Sequence, residues 1–89
     1  MQDSWDEIEK PLRQLLGLVK KGLSAAERRE VEEFIDGNEC GAAMEALVDI
    51  LAEKHIPLSR QSLELARKLA QALDLDVELA RISKMLVNG

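Results

Sequence analysis

Apolar residues in this chain recur every three or four positions in short runs, and each run sits between a helix-starting and a helix-stopping residue, which leaves little room for anything but a bundle of short helices. Ser4-Trp5-Asp6-Glu7 reads as a capping box: the Ser4 hydroxyl and the Glu7 carboxylate satisfy amides that a helix start leaves unpaired. The first helix follows with Leu12, Leu15, Leu16 and Val19 on one face. Pro11 either kinks it or starts its second segment, and Gly22 ends it after Lys20 and Lys21. A second box, Ser24-Ala25-Ala26-Glu27, opens a helix with Val31, Phe34 and Ile35 inward and a stop at Gly37-Asn38.

Cys40, Met44, Leu47, Val48 and Leu51 form the inner stripe of a third helix running to about His55, with Pro57 closing it. Ser59 caps a fourth helix carrying Leu63, Ala66, Leu69, Ala70 and Leu73; Asp76 caps a short fifth one using Leu79, Ile82 and Leu86. Trp5 and Phe34 are the only aromatics, so the core is built from Leu, Ile, Val, Met and Ala, a composition that favours helices, and no strand is expected. The connections are short, so neighbouring helices should run antiparallel. The expected fold is all-α, a compact single domain over residues 1–89 with four to five short helices.

Chemistry is sparse. Cys40 is the single cysteine, which rules out an internal disulfide, suits a reducing compartment and reads as a small core residue. His55 is the single histidine and reads as a helix-end residue, either satisfied or facing solvent; with Cys40 it supplies no zinc ligand set at a usual spacing. Ser4, Ser24 and Ser59 are explained as caps, and no glycine-rich phosphate loop follows a strand. No catalytic residue, cofactor or metal is expected. The start of the chain has neither a basic segment nor an apolar one of signal-peptide type, and no window approaches a membrane span, so a cytoplasmic location is expected.

The charge distribution carries the functional information. From Ser24 to Lys54 nine acids face three bases, a net −6; residues 1–23 are neutral and residues 55–89 carry +1, which together give the −5 of the whole chain. Glu45, Asp49 and Glu53 lie at successive i, i+4 positions opposite the apolar stripe of the third helix, with Ala42, Ala46 and Ala52 between them and no lysine or arginine interrupting. Glu32 and Asp36 form an uncompensated i, i+4 pair on the outer side of the second helix, with Arg29 and Glu33 nearby, and Glu39 follows in the turn. Like charges at this spacing cost a few tenths of a kcal/mol per pair, and a purely solvated helix usually alternates signs. One continuous acidic surface across two adjacent helices is therefore expected. Such a surface steers a basic protein inward and repels nucleic acid.

The run from Leu23 to Glu39 (Leu-Ser-Ala-Ala-Glu-Arg-Arg-Glu-Val-Glu-Glu-Phe-Ile-Asp-Gly-Asn-Glu), followed by Ala43-Met-Glu-Ala-Leu-Val-Asp-Ile-Leu51, resembles the small immunity proteins of the MafI type. The shared pattern is a capped helix ending in Phe34-Ile35, a short turn carrying Glu39, the Ala43 to Leu47 helix and the restart at Pro57-Leu58-Ser59; it covers roughly residues 23–75. Gly37-Asn38 departs from it, since relatives often carry a His in that turn. The resemblance implies a bacterial protein that protects its producer by binding a cognate toxin domain of a polymorphic or contact-dependent inhibition system, in a one-to-one complex. Many such toxins attack RNA or DNA through a basic cleft, which an acidic helical surface can occupy as a phosphate mimic. The candidate toxin-binding residues are Glu32, Glu33, Asp36, Glu39, Glu45, Asp49 and Glu53, with Glu39 and Glu45 foremost because they lie where the two helices meet and on the matching motif.

A different reading of the same residues is an acidic helical adaptor or regulatory subunit that docks on some other basic protein. A helix-turn-helix regulator would use Arg60, Arg67, Lys68, Arg81 and Lys84, but their segment nets only +1 beside the acidic middle, which argues against direct contact with nucleic acid. No membrane contact and no small-molecule substrate are expected. Trp5 is either a lid on the core or a binding anchor.

Overall fold

The computed structural model describes the backbone of residues 3–84, 87 and 88, and side chains from Glu7 to Lys84. Five helices follow one another: α1 (Asp3–Val19), α2 (Ala25–Asp36), α3 (Cys40–Glu53), α4 (Arg60–Ala72) and α5 (Asp76–Ser83), with a 3₁₀ turn over Lys20–Gly22. The all-α bundle expected from the periodicity is what forms. α1 runs through Pro11 as one helix. The predicted Ser4 cap, Trp5 and Leu86 lie outside the described side chains.

The apolar stripes meet in one cluster. Leu12, Leu15, Leu16 and Val19 enter it from α1, Val31 and Ile35 from α2, Ala66, Leu69 and Ala70 from α4, and Ile82 from α5. α3 supplies Cys40, Ala43, Met44, Leu47, Val48 and Leu51, more than any other helix, and is the bundle's central element. Cys40 is thus a core residue, 1% exposed, and burial pushes its thiol pKa up, away from the reactive thiolate. Packing joins α2 to α3 and α4 to α5, with α1 lying across α4 and α3.

The Ser24–Glu27 box forms in full: the Glu27 amide donates to Ser24 Oγ at 3.1 Å and the Ser24 amide to Glu27 Oε1 at 2.8 Å. Ser59 caps α4 by accepting from the Ser62 amide at 3.1 Å. Asp76 does not cap α5. Leu75 takes the cap position with no side-chain bond, and Asp76 is the first helical residue, where its carboxylate complements the helix dipole instead. A second departure is a two-residue parallel pairing of β1 (Leu58–Ser59) with β2 (Val87–Asn88). Leu58 immediately precedes the Ser59 cap and so lies outside α4; a two-residue strand is too short to leave a periodic signal in the sequence.

α2, α3 and α4 stop in the same way. Asn38, His55 and Asp74 each take a left-handed backbone, with φ of 63°, 53° and 62°. In each case that residue and the next donate back to the closing turn: Asn38 to Ile35 and Glu39 to Phe34, His55 to Ala52 and Ile56 to Leu51, Asp74 to Gln71 and Leu75 to Ala70. This is the Schellman arrangement, usually built on glycine. α3 therefore ends before Pro57 intervenes. All three are exposed, and His55 carries the bulkiest side chain at a position that disfavours a Cβ. His55→Gly should raise the unfolding free energy by about 0.5–1 kcal/mol, with a smaller gain for Asn38→Gly, measured by urea titration.

Gly22 lies in a close approach, where a side chain would have to displace that of Ile56. A Cβ there would stand 2.8 Å from Ile56 Cδ1, and the Gly22 carbonyl accepts from Lys54 Nζ at 2.9 Å. The same ammonium donates to Glu27 Oε1 at 2.8 Å, so the start of α2 is tied to the end of α3. Lys54, followed by the Ser24 amide, holds the Glu27 carboxyl below its ordinary 4.5. A depressed carboxyl contributes stability that is present above its unfolded value and lost as pH falls through the folded one. Stability should therefore begin to drop below about pH 4.5, and Glu27→Gln should flatten that part of the profile.

Candidate functional site

α2 sets the geometry of the acidic region. With Val31 and Ile35 turned into the core, a 100° step per residue places Glu30 and Phe34 on the flank toward α3, and Glu32 and Asp36 on the flank toward α1. Between α2 and α3 lies an open groove of about 290 Å³ lined by Glu30, Phe34, Ala42, Glu45, Ala46, Asp49 and Ile50. Its floor is the half-buried Phe34, Ala42, Ala46 and Ile50, and its rim is three carboxylates. The small alanines of α3 keep the floor shallow enough for an approaching side chain to reach.

Two of the seven predicted residues, Glu45 and Asp49, line this groove. Glu39 precedes α3 at its N-terminal cap position; its side chain caps nothing and is exposed, while its amide donates to the Phe34 carbonyl at 2.8 Å and so fixes the corner. Glu33 is exposed on the outer side of α2, and Glu53 is exposed at the end of α3. Glu32 is half-buried on the opposite flank of α2, in a second groove of about 300 Å³ shared with Arg13, Leu16, Gly17, Lys20 and Arg28.

The single uncompensated surface expected from the sequence is therefore divided, and partly neutralised. Asp36 accepts from Arg13 Nη2 at 2.7 Å, and the same guanidinium donates through Nε to Glu9 at 3.0 Å. Asp49 is paired with Arg81 of α5. Counter-ions for α2 and α3 thus come from helices distant in sequence, which an i, i+4 reading of one helix does not see. Glu30 was missing from the expected set although it lines the groove; its place one turn before Phe34 was the signal that could have found it.

Glu30 and Glu45 have no ion-pair partner among the described residues, which leaves them as the groove's free charges. Pairs as exposed as Asp49–Arg81 contribute little and exchange readily, so Asp49 remains able to accept an incoming cation. His55 is exposed at the far end of α3, and among the described residues no three His, Cys, Asp or Glu side chains are grouped to hold a metal ion. No described helix is long and apolar enough to cross a membrane. Comparison with protein-family models, with curated proteins and with solved structures returns no match.

Proposed function

We propose that this chain is an immunity protein of the MafI type, which binds a cognate toxin domain, a nuclease, in the cytoplasm of the producing cell and blocks it one to one. The observation that carries this reading is the α2–α3 groove: an apolar floor rimmed by Glu30, Glu45 and Asp49, built from the two helices on which the family resemblance is strongest. A rim of one sign raises the encounter rate with a basic surface, and the apolar floor then gives a docked side chain something to bury. Against a nuclease, the carboxylates would stand where substrate phosphates bind and so exclude RNA or DNA from the cleft. Glu39 and Glu33 extend the acidic rim beyond the corner, and Glu32, Asp36 and Glu53 contribute to the longer-range field rather than to the groove.

The deciding experiment is affinity purification of the tagged chain from its native host with mass spectrometry of the bound material. Recovery of the C-terminal domain of a large secreted or surface-displayed protein at equal stoichiometry is the expected result. Recovery of a housekeeping partner alone, while the toxin domain is being made, would replace immunity by the adaptor reading.

A further inference from the structure

Trp5 and Phe34 are the chain's two aromatics, and Phe34 stays half-buried on the floor of the α2–α3 groove although its neighbours Val31 and Ile35 are buried in the core. A phenyl ring left partly in water forgoes much of the stabilisation that full burial would give. Its face also presents a negative quadrupole, which attracts a cation. The charged residues around it are all acids: Glu30 one turn before it on α2, and Glu45 and Asp49 on the α3 wall. No lysine or arginine is among the described residues that line this groove.

The rim already holds a guanidinium of this chain. Arg81 of α5 donates to Asp49 at the groove's edge, as Arg13 does to Asp36 on the other flank of α2. Glu45 lies one turn before Asp49, with Glu30 on the opposite wall, and neither has such a partner among the described residues.

The possible anchors of a docking protein separate on this chemistry. A leucine or tryptophan would cover the apolar floor but take water from the two carboxylates without pairing them, which is unfavourable. A lysine would bring charge to the rim as a point, with no plane to lie on the ring. An arginine meets both demands: its stem packs on Ala42, Ala46 and Ile50, its plane stacks on Phe34, and its five donors reach a carboxylate on each wall. At about 290 Å³ the groove falls at the small end of ligand sites, which suits one inserted side chain rather than a cofactor.

We infer that the α2–α3 groove takes a single arginine side chain of the basic partner, stacked on Phe34 and hydrogen-bonded to Glu30 and Glu45. This rests on the acidic-groove reading above and adds to it the identity of the anchoring side chain.

The test is an NMR titration of the whole chain with the capped peptide acetyl-Ala-Arg-Ala-amide and, separately, its lysine counterpart, at matched ionic strength. The arginine peptide should give saturable shifts at the amides of Phe34 and Glu45. Its δ protons should move upfield under the ring current and show cross-relaxation to phenyl protons, which in this chain belong to Phe34 alone. It should bind about two- to fivefold more tightly than the lysine peptide. Phe34→Leu should erase both that preference and the upfield shift, and Glu30→Gln with Glu45→Gln should weaken the arginine peptide by about fivefold or more. Equal affinity of the two peptides, absence of cross-relaxation to Phe34, or absence of saturation would overturn the proposal. A toxin domain recovered by a chain that shows no arginine preference would remove the arginine anchor and leave immunity standing, whereas saturable arginine binding beside a housekeeping partner would keep the anchor and remove the toxin.

Discussion

Leu47→Ala should lower the unfolding free energy by about 2–5 kcal/mol, enough to leave a domain of this size largely unfolded under mild denaturing conditions. Leu47 is 0% exposed at the middle of α3, the helix that contributes most to the core. Its neighbours belong to helices held on several sides, so the space left by the isobutyl group closes only in part. The core also has few large side chains with which to compensate, because Trp5 and Phe34 are the only aromatics and Phe34 sits half-buried at the groove. Leu18→Ala, at a leucine 42% exposed on α1, supplies the contrast: its effect should stay within about 0.5 kcal/mol. Urea titrations of the two variants check both values, and a Leu47 loss no greater than that of Leu18 would mean that α3 is not the centre of the bundle.

Reversing the free charges of the acidic groove should have its effect on association rather than on folding. Glu30→Lys with Glu45→Lys changes the net charge by +4, from −5 to −1, and leaves the Asp49–Arg81 pair intact. Both positions are exposed, so the unfolding free energy should move by less than about 0.5 kcal/mol. The association rate with the proposed toxin partner should fall by about 10- to 100-fold at low salt, and its dependence on ionic strength should flatten. Stopped-flow mixing across a salt series measures this directly. A rate insensitive to the double reversal would sink the acidic-groove model while leaving the identity of the partner untouched.

The fold was legible because its instructions are local. Ser24 and Glu27 are three residues apart and satisfy each other's backbone, and the stripe from Cys40 to Leu51 fixes both the helix and the face it buries. What the sequence did not reveal is relational. The acids of α2 look alike along the chain, but about half a turn of the helix separates the flank facing α1 from the flank facing α3, so Glu32 and Asp36 part company with Glu45. Arg13 lies 23 residues from Asp36 and Arg81 lies 32 residues from Asp49; pairing over such separations follows from packing, which periodicity cannot report. Asp76 was mistaken for a cap because a carboxylate suits both the cap position and the first turn, and only the backbone at Leu75 distinguishes the two.

The three left-handed corners also bear on how quickly the protein reaches its native state. Those at Asn38 and Asp74 turn the chain back within a few residues, so α2 meets α3 and α4 meets α5 at almost no loop-closure cost. Two helical hairpins can form early and independently, and the docking of α1 across α3 and α4, of α5 against α3, and the β1–β2 clasp then bring together distant parts of the chain. Topologies dominated by such local meetings fold in microseconds to milliseconds. For a protein proposed to guard its own cell, that speed sets the interval between synthesis and readiness, and it makes the supply of new chains, rather than their maturation, the limit on protection.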